Sequence, residues 1–137
     1  MTDAQDAEAI AALLRRFHDA FAAGDADALA ECFTEDGQMH LLHSEPALGR
    51  EAIRTRWRGG FERLDTSDWT PITDFTERRG DRAFAFGTYT ERLLDRRSGA
   101  RTLVRGRLVH WMARQTDGAW RVMFLMNSHS HPMEPIA

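Results

Sequence analysis

Two hydrophobic periods divide the chain. From residue 10 to residue 21 the apolar set Ile10, Leu13, Leu14, Phe17 and Phe21 recurs at steps of three and four, the spacing of one helix face. Thr2 and Gln5 stand at capping-box spacing ahead of this run and Gly24 follows it, so one long amphipathic helix is predicted. Asp25 is placed to cap a short second helix carrying Leu29, Cys32 and Phe33, with Thr34-Glu35-Asp36-Gly37 as the turn that closes it. Residues 39–43 read as a short strand broken by Ser44-Glu45-Pro46. A third helix is predicted over 49–58, with Ile53 and Trp57 inward and Arg50, Arg54 and Arg58 stacked on a solvated outer face.

Beyond residue 68 the pattern changes to strands. Segments 69–77, 82–94, 101–114 and 120–129 are separated by Arg79-Gly80-Asp81, Arg96-Arg97-Ser98-Gly99 and Thr116-Asp117-Gly118, each with the Gly or Asp that a hairpin turn needs. Pro71 lacks a backbone donor and puts its strand at a sheet edge or beside a bulge. Helices first and hairpin-spaced strands afterwards predict one α+β domain over 1–137, in which a curved antiparallel sheet wraps the long helix.

Composition narrows the chemistry. With 42% hydrophobic and 28% charged residues in 137, the chain is neither disordered nor low in complexity. No run approaches the roughly 18 apolar residues of a membrane span, and the first residues are acidic where a signal peptide is basic, so a cytoplasmic protein is expected. A net charge of -3 argues against a general nucleic-acid or membrane-surface binder. All 18 basic residues are arginine, which removes lysine Schiff-base chemistry and P-loop phosphate binding together. Cys32, the single cysteine, excludes an intrachain disulfide and reads as buried filler on a helix face. His129-Ser130-His131 has no third ligand at metal-site spacing, so neither a metal nor another cofactor is expected.

Three stretches carry a family resemblance: Phe17-His18-Asp19-Ala20-Phe21-Ala22-Ala23-Gly24-Asp25 running on to Phe33-Thr34-Glu35-Asp36, then Leu48-Gly49-Arg50-Glu51-Ala52-Ile53, and Asp117-Gly118-Ala119-Trp120-Arg121. Together they resemble the nuclear transport factor 2-like superfamily, and within it the SnoaL-like and ketosteroid-isomerase-like small proteins. Ser44-Glu45-Pro46 and Ala83-Phe84-Ala85-Phe86 are similar to isomerase segments. The resemblance implies a cone-shaped α+β domain with an enclosed apolar pocket and a homodimer through the sheet. It also places Phe17 at the isomerases' helix tyrosine, Leu41 at their base and Val109 at their oxyanion aspartate, so all three polar groups of the steroid reaction are missing.

Strand parity taken from those positions predicts the pocket lining. Met39 and His43 follow Leu41; Arg105, Arg107 and Trp111 follow Val109; Met123, Leu125, Asn127 and His129 follow on the last strand, while His40 and His110 look outward. Phe17, Met39, Leu41, Trp57, Tyr89, Val109, Trp111, Met123, Leu125 and His129 are the expected substrate-binding set. His43 is either an acid–base group or a strand-end histidine bonded to a backbone carbonyl. Arg107 either holds an anion, a ligand carboxylate or a buried Glu45 or Glu91, or reaches solvent at the cone mouth. Asn127 is either a ligand hydrogen-bonder or a satisfied core amide, and Tyr89 offers a phenolic donor if it faces inward. The leading expectation is a cofactor-independent lyase, cyclase or isomerase acting on a small hydrophobic, carboxylated or polyketide-like metabolite, with His43 as acid or base and Arg107 and Asn127 orienting it. The alternatives are a non-catalytic binding or association module and a dehydratase or epoxide hydrolase.

Overall fold

The structure, a computed structural model, describes residues 2–137. Helix α1 spans Asp3–Ala23 and is fixed at both ends by its own sequence. The Thr2 hydroxyl accepts from the Gln5 N–H while the Gln5 side chain accepts from the Thr2 N–H, and Gly24 closes the helix in the left-handed conformation at φ 68°. Its inner face buries Ile10, Leu13, Phe17 and Ala20. Asp6 is buried beside them, where Arg114 donates to it at 2.9 Å and the Trp120 indole at 3.1 Å. This cluster ties the first turn of α1 to the far end of the sheet.

Helix α2 (Ala26–Glu31), capped by Asp25, is shorter than the periodicity suggests. Phe33 leaves the helix and opens strand β1 (Phe33–His40), so residues 34–37 lie inside that strand rather than in a turn. Their turn chemistry appears there as an irregular register between Phe33 and Gln38. The short β2 (Ala47–Leu48) pairs with β1, and α3 (Arg50–Arg63) runs five residues past the expected end because Gly59 and Gly60 do not break it. Of the three arginines expected on a solvated face, Arg58 is exposed as expected, but Arg50 and Arg54 are less solvated. Arg50 donates twice to the Phe33 carbonyl, and Arg54, 15% exposed, pairs with Asp27, Glu31 and Glu51, which fastens α3 to α2 and β1.

The remaining strands are β3 (Leu64–Asp65), β4 (Thr70–Arg79), β5 (Arg82–Asp95), β6 (Arg101–Arg114), β7 (Trp120–His129) and β8 (Glu134–Ile136). They form one eight-stranded sheet in the order β2-β1-β7-β6-β5-β3, with β4 also on β5 and β8 on β6. The β4 to β7 meander is antiparallel as expected, but β1 joins β7 in parallel, so the sheet is mixed. Pro71 sits on β4, which pairs with β5 on one side, and a bulge follows between Thr73 and Phe75. At that crossing Gly87 passes under the Ile72 carbonyl, where a β-carbon would lie 2.1 Å from the oxygen. The sheet curls around α1, and the core fills the concave side.

Candidate functional site

Side-chain direction on β6 decides what the concave side holds. Val104, Gly106, Leu108, His110 and Met112 are buried there, so Arg105, Arg107, Val109 and Trp111 take the convex face. The expected parity was one residue out on this strand. Both faces of β6 carry large apolar groups, and alternation alone could not say which set was inside. Arg107 is exposed and points away from Glu91, and Val109 and Trp111 lie outside, Trp111 stacked on Phe84 at 5.1 Å. His110, expected outside, is buried; its Nε2 finds no hydrogen-bond partner, and burial pushes the imidazole down to about 4.

Two further expectations fail for local reasons. His43 does not continue β1: it stands exposed in a left-handed turn at φ 60°, outside the cavity. On β7 a bulge at Met123, between the pairs Trp111 to Phe124 and Met112 to Val122, reverses parity. Met123 therefore leaves the pocket wall, while Leu125, Asn127 and His129 line it.

The cavity these strands enclose measures about 150 Å³ and opens where Met133, 52% exposed, stands at its rim. Phe17 and Phe21 of α1, Trp57 of α3 and Trp69 supply an aromatic wall, with Phe21 in edge contact with Trp57 at 4.9 Å and Trp69 at 4.8 Å. The Trp57 indole is satisfied by the Met39 sulfur at 2.9 Å, and Met39, Leu41, Leu108 and Leu125 complete the apolar surface. No arginine lines it among the described residues.

The polar groups gather on β5 and β7. Tyr89 and Glu91 are alternate residues of β5, and Tyr89 and His129 both lie opposite Gly106 of the intervening β6, their backbones roughly 10 Å apart across two strand spacings. Gly106 makes this possible, since a β-carbon there would come within 2.5 Å of the Tyr89 ring and hydroxyl. The phenol lies across the glycine and accepts from Asn127 Nδ2 at 3.0 Å, while Asn127 Oδ1 accepts from the Leu42 N–H at 3.0 Å. Burial raises Tyr89 above the usual phenol range.

Glu91 is 7% exposed, and its Oε2 has no hydrogen-bond partner. Burial, reinforced by the neighbouring charges of Asp68 and Asp65, pushes the carboxyl up to about 8, so it is protonated at neutral pH. His129 moves the other way: burial, then the charge of His43, hold it below the ordinary imidazole value. Glu91 is the site residue that the sequence reading named only as a partner for Arg107; carrying the β5 alternation two places beyond Tyr89 was the signal for it. No group of three or more His, Cys, Asp or Glu suited to a metal ion occurs among the described residues. None of their helices is long and apolar enough to cross a membrane.

The pattern of the SnoaL-like domain matches residues 14–123. The chain belongs to the SnoaL-like family. Solved structures share this SnoaL-like, nuclear transport factor 2-like fold at low identity. A ketosteroid isomerase-like protein from Erwinia carotovora atroseptica is similar at 18% identity and TM-score 0.84, covering 91% of this chain and 96% of its own. A nuclear transport factor 2-like protein with a cystatin-like fold from Novosphingobium aromaticivorans gives 23% and 0.73, over 92% and 82%. A type 2 hexachlorocyclohexane dehydrochlorinase gives 14% and 0.78, over 97% and 90%. No curated protein matches the chain in sequence.

Proposed function

We propose that this SnoaL-like protein is a cofactor-independent lyase, cyclase or isomerase that moves a proton on a small hydrophobic molecule in the aromatic cavity. One observation carries the reading: a carboxyl protonated by its surroundings and an imidazole kept neutral by its surroundings line the same cavity. Paired groups whose environments drive their pKa values apart are set for opposite roles. His129 is the base that takes a proton from carbon, Glu91 is the acid that delivers one, and water at the open rim resets both. A related fold serves a dehydrochlorinase of an apolar halocarbon, which supports elimination as one form of this chemistry.

A cavity near 150 Å³ suits one ring. Acetophenone is therefore the probe, and deuterium uptake from D₂O at its methyl carbon is the measurement. Glu91→Gln and His129→Phe each lower the exchange by roughly 10²–10⁴. Unchanged exchange in both variants removes those two roles, and native exchange no faster than in buffer favours the non-catalytic binding reading, which is supported by the apolar side chains at Phe17, Leu41 and Leu108. The partner in this proposal is a second copy of the chain on the convex sheet face, where Phe84 and Phe86 are each 38% exposed beside Phe75 and Met126.

A further inference from the structure

The hydrogen bonds around Tyr89 have a direction. Asn127 Oδ1 is held by a backbone N–H, which fixes the amide and leaves Nδ2 as the group facing the phenol. A phenol oxygen that accepts from Nδ2 keeps its own proton to donate. Tyr89 is 5% exposed and lines the cavity, and no described residue is recorded accepting that proton. The ring cannot retreat, because it rests on Gly106 with Trp69 at 6.3 Å between ring centres.

We infer that Tyr89, oriented by Asn127, is the hydrogen-bond donor for a neutral carbonyl oxygen on the ligand, and that the cavity selects such molecules over carboxylates. This rests on the function proposed above and names its substrate class: a single-ring-sized ketone, aldehyde or ester. Charge supports the neutral class. The cavity wall holds no arginine among the described residues, Asp65 and Asp68 stand near Glu91, and Arg105 on the convex face is paired with Glu134 at 2.9 Å. A carboxylate entering here loses its water without gaining a cation. Asn127 acts through Tyr89 and is a positioning residue.

The test uses ethylbenzene, acetophenone and benzoate against the full chain at pH 7, with Kd read from the indole NMR signals of Trp57 and Trp69. Acetophenone is expected to bind about tenfold tighter than ethylbenzene, the upper end for one neutral hydrogen bond, and benzoate weaker than both. Tyr89→Phe is expected to erase the ketone's advantage and leave ethylbenzene unchanged. The carbonyl stretch of bound acetophenone reads the positioning role: it shifts to lower frequency in the native protein, loses the shift in Tyr89→Phe, and broadens toward the free value in Asn127→Leu. Retention of the ketone preference in Tyr89→Phe, or its loss only in Glu91→Gln, overturns the donor assignment while the cavity reading stands. Tighter binding of benzoate overturns the neutral class. Failure of all three probes to perturb either indole overturns the cavity reading and this inference with it.

Discussion

Glu91 and His110 hold opposite consequences for stability, because burial drives a carboxyl and an imidazole in opposite directions. Between pH 4.5 and about 8 folded Glu91 keeps a proton that the unfolded chain has released, so stability falls as pH rises through that window, by roughly 1.4 kcal/mol per pH unit. Between pH 6.5 and about 4 unfolded His110 gains a proton that the folded imidazole refuses, so stability falls as pH drops there. The two slopes oppose one another where the windows overlap. Urea unfolding across pH should therefore show Glu91→Gln flattening the decline between pH 6.5 and 8, with its largest stabilisation above pH 8. His110→Leu should lessen the loss between pH 6.5 and about 4, leaving the acid loss that comes from lowered carboxylates such as Asp65 and Asp95; an unchanged limb between pH 6.5 and 4 would show that the imidazole reaches water. On the proposed roles, the rate of acetophenone exchange is expected to rise with pH as His129 loses its proton and to decline near pH 8 as Glu91 ionises.

At the scale of elements, the site depends on a glycine in the middle of a strand, a position where glycine is otherwise a weakness. Gly106→Ala should lower stability by about 1–3 kcal/mol and abolish the Asn127 to Tyr89 hydrogen bond, because the new methyl occupies the space under the phenol. A crystal structure of the variant with Tyr89 unmoved would refute this. The same strand shows where sequence reading works and where it stops. The ends of α1 were legible since Thr2, Gln5 and Gly24 act on backbone groups within a few residues of themselves. The facing of β6 was not, because its outer row of Val109 and Trp111 is as apolar as its inner row of Leu108 and Met112. Bulges at Met123 and in β1 compounded this, since one extra residue reverses every side chain beyond it. Met39, Leu125, Asn127 and His129 line the cavity as expected because each lies beyond the irregularity of its own strand and keeps the alternation that runs on from there.

For the whole molecule, the convex face leaves Phe75, Phe84, Phe86 and Met126 exposed together, the kind of apolar cluster that marks an association surface. Light scattering at micromolar concentration is expected to give a dimer, and Phe84→Glu with Phe86→Glu a folded monomer with the cavity intact; a native monomer would remove the second copy from the proposal. Cavity size also bounds the substrate. A Δ5-3-ketosteroid has four fused rings, and about 150 Å³ accommodates one, so no conjugated enone should form in an absorbance assay. The chemistry agrees with the geometry: Phe17 and Leu41 supply neither donor nor base, and the inward neighbours of Val109 are Leu108 and His110, neither of them a carboxylic acid.

The parallel seam between β1 and β7 joins residues 33–40 to residues 120–129, and the Leu42 to Asn127 hydrogen bond spans 85 positions of sequence. Every other major pairing of the sheet is made between neighbours in the chain. On a ribosome the meander and helices have most of their partners early, but β1 waits exposed until the last strand emerges. Among the strand pairings that seam closes the longest loop, and it belongs to the slow end of sheet assembly. Since Asn127 and His129 arrive only with it, any chain released short of residue 127 carries most of the hydrophobic core but lacks the amide that holds the Tyr89 phenol.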